Sequence, residues 1–119
     1  MARYIDGFVL PIAKKNVAAY RRIARKAAKV WREHGALEYR ECVGDDLKAK
    51  GALPFPRLAR CRTGETVVFA WIVYRSRADR DRVNAKVMKD PRLAGMDPKS
   101  MPFDVKRMSC GGFRVLVDA

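Results

Sequence analysis

Thr66-Val-Val-Phe-Ala-Trp-Ile-Val-Tyr74 is the most apolar run of the chain, and it decides the fold. Side chains of a strand alternate between its two faces, and in this run both faces are hydrophobic. Such a strand is typical of the centre of a sheet that is buried on both sides. We therefore predict a central strand over residues 66–74.

Three further strands are predicted around this central one from the alternation of their side chains. Residues 3–10 form the first strand, and we expect Pro11 to end it because proline donates no ladder hydrogen bond. Gly7 in its middle predicts a bulge or the close approach of another group. Residues 36–43 are polar on both faces, as in an edge strand, and residues 112–118 form the last strand.

Two helices are predicted from apolar side chains at spacings of three and four. The first covers residues 14–34 and is ended by Gly35, a common C-terminal capping residue. The second covers residues 77–89, with Ser76 as its N-cap and Asp90-Pro91 as its stop. The connection over residues 44–65 is rich in glycine and proline. We therefore predict a long loop there, a kind of segment that often contacts partners.

The order β-α-β-β-α-β predicts an α+β, ferredoxin-like fold. Right-handed crossovers place both helices on one face of a four-stranded antiparallel sheet. The opposite face of the central strand is also apolar and has no helix to cover it. A second copy of the chain is the commonest cover for such a face, so we predict a homodimer packed sheet to sheet.

Length and composition are those of one domain over residues 1–119, because 49% of the 119 residues are hydrophobic. No apolar run approaches the roughly 20 residues of a membrane helix, and the first residues do not predict a signal peptide. Three separated cysteines and one histidine predict neither a disulfide framework nor a zinc site. We therefore expect a cytoplasmic protein with no metal, no cofactor and no membrane partner.

The charge balance is the unusual feature, since twenty-six Lys and Arg against thirteen Asp and Glu give a net charge of +13. The first predicted helix carries eight of the basic residues: Lys14, Lys15, Arg21, Arg22, Arg25, Lys26, Lys29 and Arg32. Such a field attracts nucleic acids, although a solvated basic surface explains the same composition. The exposed side of this helix has no aromatic residues for base stacking, which disfavours sequence-specific RNA recognition.

Segments spread over nearly the whole chain resemble those of one bacterial family. They are DGFVLP at 6–11, WREHGALEY at 31–39, ECV at 41–43, DD at 45–46, VFAWIVY at 68–74, SR at 76–77, NAKVM at 84–88, DPR at 90–92, MPFD at 101–104 and GGF at 111–113. This combination resembles the YbaA-like family, domain of unknown function 1428. The resemblance implies a dimeric α+β barrel fold, in agreement with the topology above, and it implies no particular activity.

Asp6 and His34 are the first candidate site residues. Asp6 lies in mid-strand on an apolar face, where a carboxylate is costly unless it is paired, and Arg107 or Arg114 could pair with it. It is either part of a structural ion pair or an acid that contacts a ligand. His34 at the end of the first helix either favours the helix dipole or serves as a general acid or base.

The second predicted strand supplies further candidates. Glu38 and Glu41 point to opposite faces, so they cannot form a carboxylate pair without a bulge. Cys42 shares a face with Glu38 and is either a small buried residue or a thiol made reactive by a nearby arginine. A cation site at His34, Asp45 and Asp46 is an alternative that no known loop motif supports.

Two main functional hypotheses follow, and the sequence identifies no reaction for either. Proteins with similar dimeric barrels often bind or transform small organic molecules, which suggests a pocket between sheet and helices. Its candidate residues are Asp6, His34, Glu38, Tyr39, Cys42 and Trp71. The alternative is a nucleic-acid-binding module that uses Arg21, Arg22, Arg25, Lys29 and Arg32 of the basic helix. A third hypothesis is an interaction protein whose loop at 44–65 contacts a partner.

Overall fold

The computed structural model describes residues 2–119. Its strands are β1 (Tyr4–Ala13), β2 (Glu38–Val43), β3 (Glu65–Tyr74) and β4 (Ser109–Arg114), and its helices are α1 (Val17–Glu33), α2 (Phe55–Leu58) and α3 (Arg77–Lys89). The strands form one antiparallel sheet in the order β2-β3-β1-β4. This is the predicted α+β, ferredoxin-like arrangement.

The central position of β3 follows from its two apolar faces. It pairs with β1 over the full length of both strands, with Tyr4 opposite Tyr74 and Ala13 opposite Glu65. On its other side it pairs with β2, which lies at an edge of the sheet as its polar sequence predicted. Because β3 has partners on both sides, its backbone N–H and C=O groups are hydrogen-bonded. The strand can therefore be buried without leaving unpaired polar groups.

The two long helices cover one face of the sheet, here called the helix face. Val30 of α1, Val83 and Val87 of α3, and Ile72 and Tyr74 of β3 form one buried cluster. Leu10 and Ile12 of β1 with Val68 of β3 form a second cluster, against which Tyr20 of α1 packs. The opposite face, here called the far face, carries Ile5, Val9, Phe69, Trp71 and Phe113 by strand alternation.

Several element bounds differ from the prediction. α1 begins at Val17, after a 3-10 turn over Lys14–Asn16, and β2 begins at Glu38 and not at residue 36. β1 continues through Pro11 to Ala13, because β4 pairs with β1 only as far as Val9 and the missing N–H costs nothing on that side. β4 covers Ser109–Arg114 and not residues 112–118, since Cys110 and the two glycines pair with β1. The long connection contains the short helix α2, whose Phe55 ring lies 5.9 Å from the Phe69 ring on the far face.

Other local predictions are confirmed. Ser76 caps α3 by accepting a 3.1 Å hydrogen bond from the backbone N–H of Asp79. α1 ends just before Gly35, which has a φ of 118°. The ring of Phe113 is the group that approaches Gly7, where a Cβ would lie 3.3 Å from its Cε1 atom. Over residues 2–119, no helix has both the length and the apolar character needed to cross a membrane.

Candidate functional site

A cavity of about 730 Å³ lies between the helix face, α1, α3 and the segment over residues 93–108, here called the covering segment. Ala24 and Ala27 of α1 and Ala70 of β3 line it, and their small side chains leave space between helix and sheet. All four methionines among residues 2–119 also line it: Met88, Met96, Met101 and Met108. Methionine is flexible and polarizable, so this wall can adapt to an apolar molecule.

Glu41 provides a carboxylate on the cavity wall. The Tyr20 hydroxyl donates a 2.8 Å hydrogen bond to its Oε1 atom, and the Tyr39 hydroxyl donates one of 2.8 Å to its Oε2 atom. Burial raises the pKa of Glu41, and the two hydrogen bonds partly oppose that rise. Burial and the neighbouring Glu41 carboxylate also raise the pKa of both tyrosines, which therefore stay protonated as donors.

Asp6 forms a second polar group at the wall, together with residues of α3. Asn84 donates a 3.4 Å hydrogen bond from Nδ2 to Asp6 Oδ2, and Arg80 Nε lies 3.8 Å from Asp6 Oδ1. Arg80 also donates a 3.1 Å hydrogen bond from Nη2 to the Tyr4 hydroxyl, and its guanidinium lies 4.9 Å from the centre of the Tyr4 ring. Asp6 thus has a partner, as its buried position requires.

Asn84 connects Asp6 to the aromatic residues behind the cavity. Its Oδ1 atom accepts hydrogen bonds from Trp31 Nε1 at 3.0 Å and from the Tyr74 hydroxyl at 3.1 Å. Trp31 Nε1 also lies within hydrogen-bond distance of the Tyr74 hydroxyl, at 3.1 Å. These bonds join α1, β3, α3 and β1, and they fix the orientation of Asn84 toward Asp6.

The expected partners of Asp6 were wrong. Arg107 donates hydrogen bonds of 2.7 and 2.8 Å to the two carboxylate oxygens of Glu65, and Arg114 is exposed at the end of β4. The partner is Arg80, because α3 passes over the start of β1 and presents its side chain there. Spacing along the chain does not reveal this proximity, since Asp6 and Arg80 come from distant segments.

The six predicted pocket residues do not come together. Asp6 and Tyr39 line the cavity. The strand register places Glu38, Cys42 and Trp71 on the far face, because each is an odd number of positions from a neighbour on the helix face. The remaining residue, His34, lies outside the cavity at the C-terminal end of α1.

His34 takes part in an ion-pair network at the ends of both long helices. Its Nε2 atom lies 2.8 Å from Asp90 Oδ2, and Arg92 also contacts this oxygen at 2.8 Å. Arg92, followed by His34, holds the pKa of Asp90 well below its usual range. Within residues 2–119, Asp90 is the carboxylate within ion-pair distance of His34, and neither Asp45 nor Asp46 is. Among the described residues, no three potential ligands lie close enough to hold a metal ion.

Sequence reasoning weighed Glu41 only as a possible partner of Glu38. It did not include Glu41, Tyr20, Arg80 or Asn84 among the pocket residues. Strand alternation did place Glu41 on the same face as Tyr39, and that face packs against the helices. A glutamate on the buried side of an edge strand was therefore a usable signal. Tyr20 belonged to the apolar stripe of its helix, and nothing in its spacing indicated that its hydroxyl meets a carboxylate.

The predicted nucleic-acid residues form a separate basic surface on the exposed side of α1. Its members are Arg21, Arg22, Arg25, Lys29 and Arg32, all of them exposed. Arg32 donates hydrogen bonds to the carbonyl oxygens of Ala36 and Leu37. Over residues 2–119, no carboxylate forms an ion pair with any of the five, so their charge faces solvent.

Comparison with known proteins identifies the family. Residues 3–105 match the family model described as "Protein of unknown function (DUF1428)". The chain belongs to the DUF1428 family. It is 41% identical over 116 residues to "Uncharacterized protein YbaA" of Escherichia coli (strain K12), with 98% of each chain covered, and the same values hold for the YbaA protein of Shigella flexneri. The family resemblance predicted from the sequence is confirmed.

A solved structure supports the fold of this DUF1428 domain. A protein from an uncultured marine organism, described as a dimeric ferredoxin-like protein, superimposes with a TM-score of 0.60 over 100% of both chains. The two sequences are 11% identical, so the likeness concerns the fold alone.

Proposed function

We propose that this protein binds a small organic molecule in the cavity between the sheet and the two long helices. The observation that carries the proposal is the cavity itself, because its volume of about 730 Å³ falls in the range of roughly 300–1,000 Å³ found for small-molecule sites. Its wall also has the composition of such sites, which are mostly apolar with a few placed polar groups. Those groups are the carboxylates of Glu41 and Asp6 with their partners.

Trp31 and Trp71 provide a built-in test. Trp31 lines the cavity, whereas Trp71 lies on the far face. We would titrate 1-adamantanemethanol, a rigid neutral apolar probe, and follow both indole N–H signals by NMR, with Trp71→Phe to assign them. The proposal expects a saturable shift of the Trp31 signal while the Trp71 signal stays in place. Equal shifts of both signals, or none at millimolar probe, would contradict it.

A matched pair of variants on α1 locates the binding. Ala27→Leu fills the cavity without removing a polar group, and we expect it to abolish the saturable shift of Trp31. Ala18→Leu is the control, because Ala18 is exposed on the same helix and does not line the cavity. Binding that survives Ala27→Leu unchanged would place the probe elsewhere.

The proposal includes a homodimer in which a second copy covers the far face. Phe69 is 42% exposed and Phe113 is 62% exposed, and both lie on the side of the sheet opposite to α1 and α3. An exposed apolar sheet face of this kind marks an association surface. The dimeric description of the marine ferredoxin-like protein supports the same assembly here. We also propose a cytoplasmic location, since Cys42, Cys61 and Cys110 are free thiols.

Nucleic-acid binding is the alternative, and the exposed basic surface of α1 is the observation that favours it. Phosphate contacts release counterions, so the affinity would fall steeply with salt. Arg21→Glu with Arg25→Glu should then weaken binding of duplex RNA by tenfold or more, whereas Lys86→Glu with Lys89→Glu on α3 serves as the control with the same change of net charge. Equal losses of affinity in both double variants would show that the net charge, and not the basic surface of α1, causes the weakening. An affinity that does not change with salt would exclude this function.

A further inference from the structure

The Glu41 carboxylate has acceptor capacity that its protein partners do not use. An ionised carboxylate offers about four acceptor sites. Tyr20 and Tyr39 each occupy one, at 2.8 Å, on different oxygens. Among the described residues, no Lys, Arg or His lies within ion-pair distance of Glu41. About half of its acceptor sites therefore remain open on the wall of the cavity.

Leaving this carboxylate in a largely apolar setting is costly. A buried charge normally has a charged partner or a full set of hydrogen bonds, and Glu41 has only two neutral donors. Burial raises the pKa of Glu41 for the same reason. A molecule that brings a further donor or a positive charge would offset this cost, whereas a molecule with a carboxylate would add to it.

The other charged groups of the cavity wall balance each other. Arg80 Nε lies 3.8 Å from Asp6 Oδ1 and 3.3 Å from Asp81 Oδ1, so its positive charge is shared by two carboxylates. Asp6 in turn accepts a hydrogen bond from Asn84. Among the described residues, Asp6, Arg80 and Glu41 are the charged ones that line the cavity. Asp6 offsets the charge of Arg80, whose Nε atom is buried and donates no hydrogen bond, and Glu41 has no cationic partner.

This local charge is opposite in sign to that of the whole protein, which carries +13. The basic residues of α1 face solvent and do not line the cavity. The positive charges that attract anions to the protein therefore lie outside the cavity, whereas the cavity wall carries a net negative charge. The rest of the wall is apolar and includes the four methionines, so it favours a hydrophobic body.

We propose that the ligand of this cavity is an apolar molecule with a protonated amine or another strong hydrogen-bond donor, and that Glu41 is the acceptor that anchors this group. The inference rests on the proposed function, since it names the chemical class that the same cavity takes. Tyr20 and Tyr39 are positioning residues, because they hold the two carboxylate oxygens and leave the remaining acceptor sites toward the ligand.

Three adamantane derivatives of similar shape test the proposal: 1-adamantanemethylamine, 1-adamantanemethanol and 1-adamantanecarboxylate. We would measure their dissociation constants at pH 7.5 from the Trp31 indole signal of the wild-type protein. The amine should bind most tightly and the carboxylate most weakly, with about tenfold or more between them, as expected for a charge-assisted hydrogen bond.

Two variants of the same strand assign the preference. Glu41→Gln keeps the size of the side chain and removes its charge, so it should abolish the advantage of the amine over the alcohol. Glu38→Gln is the matched control, because Glu38 lies on the far face of β2 and should not affect the order. The wild-type comparison of the three probes needs no variant and stands even if Glu41→Gln folds poorly.

The outcomes separate this inference from the proposed function. A carboxylate that binds as tightly as the amine would overturn the inference while leaving small-molecule binding intact. An amine preference that persists in Glu41→Gln would overturn the role of Glu41. If none of the three probes shifts the Trp31 signal at millimolar concentration, both the inference and the proposed function fail.

Discussion

The hydroxyl of Tyr20 on α1 donates a 2.8 Å hydrogen bond to the carboxylate of Glu41 on β2. This bond joins the long helix to an edge strand across the cavity wall, and Tyr39 holds the second carboxylate oxygen from within the same strand. A carboxylate held on both oxygens has one orientation, whereas a free one at a sheet edge would turn toward water. The hydrogen bond therefore connects the packing of α1 with the chemistry of the site.

The titration of Glu41 should be visible in the stability of the fold. Its pKa is raised by burial above the ordinary value of 4.5, so the folded state binds the proton more tightly than the unfolded state. The contribution of Glu41 is then fully present below about pH 4.5 and is lost as pH rises through the folded-state pKa. We expect the unfolding free energy of wild type, minus that of Glu41→Gln, to be larger at pH 4.5 than at pH 8.

Urea unfolding followed by circular dichroism at several pH values measures this difference. Taking the difference between two proteins removes the contributions of other carboxyl groups, such as Asp90, whose pKa is shifted in the opposite direction. Glu38→Gln makes the same chemical change on the far face of the same strand and is the matched control for the loss of one carboxylate. A difference for Glu41→Gln that grows with rising pH would contradict the proposed environment of this carboxyl.

The sheet and its helices could be predicted from the sequence because periodicity reports burial directly. The run at 66–74 is apolar on both faces, and it lies at the centre of the sheet. β4 could not be placed, because Gly111 and Gly112 carry no side chain that alternates, and the apolar residues Leu116 and Val117 after it are exposed. Its true position follows from pairing with β1, which is a long-range contact.

The site could be predicted only in part for a similar reason. Asp6 could be predicted because a carboxylate is unusual on the apolar face of a strand. Tyr39 could be predicted because strand alternation places it on the face that packs against the helices. The contact between Tyr20 and Glu41 depends on how α1 lies across the sheet, and the contact between Asp6 and Arg80 depends on the path of α3. Helix periodicity indicates which side of a helix is buried, but it does not indicate which strand residue that side meets.

Gly112 should be far less tolerant of substitution than its neighbour Gly111. A Cβ atom at Gly112 would lie 2.7 Å from Tyr4 Cε2 and 2.9 Å from Arg80 Nη2, so both side chains would have to move. Gly112→Ala therefore breaks the Tyr4–Arg80 hydrogen bond, and we expect a loss of about 1–3 kcal/mol in the free energy of unfolding.

Gly111→Ala is the matched control in the same strand. Its Cβ atom would have only Phe113 Cε1 within 4 Å, at 3.9 Å, which is an ordinary contact. We expect a change within about 1 kcal/mol of zero, since the alanine also reduces the freedom of the unfolded chain. Thermal and urea unfolding of the two variants measure both values. Equal stabilities would show that Tyr4 and Arg80 do not pack over Gly112.

The ion pair between Arg107 and Glu65 should hold the covering segment against β3. Arg107 binds both carboxylate oxygens of Glu65 and donates a 2.9 Å hydrogen bond to the carbonyl oxygen of Arg60. The hydrogen bonds from Arg107, followed by one from the backbone N–H of Arg62, lower the pKa of Glu65 to about 2. Arg107→Gln should lower the free energy of unfolding at pH 7, where the charge-assisted hydrogen bonds are complete in wild type.

The acid side of the stability profile tests the same pair. A lowered folded-state pKa contributes stability above the unfolded value of 4.5 that is lost as pH falls toward 2. Wild type should therefore lose more stability between pH 4.5 and pH 2 than Arg107→Gln does. Lys106→Gln, at an exposed neighbouring position, should behave as wild type. Parallel acid profiles for wild type and Arg107→Gln would rule out the pair as a source of stability.

Phe113 should be essential for the proposed dimer. Its ring lies on the far face beside Gly7, and 62% of it is exposed. In a dimer packed sheet to sheet this surface is buried, and a carboxylate there would lose its hydration without gaining a partner. We expect wild type to elute with about twice the chain mass of 13.5 kDa in size-exclusion chromatography with light scattering. Phe113→Glu should raise the dimer dissociation constant about 30-fold or more, as for a residue central to an interface.

Ala18→Glu provides the control for the dimer experiment, because it adds the same charge at an exposed position of α1 on the helix side of the sheet. It should leave the dissociation constant unchanged, and circular dichroism should show that both variants keep the wild-type content of helix and strand. A wild-type monomer at high concentration would remove the homodimer from the proposed function while leaving the cavity proposal in place. A Phe113→Glu variant that dimerises as tightly as wild type would instead mean that the two copies associate through another surface.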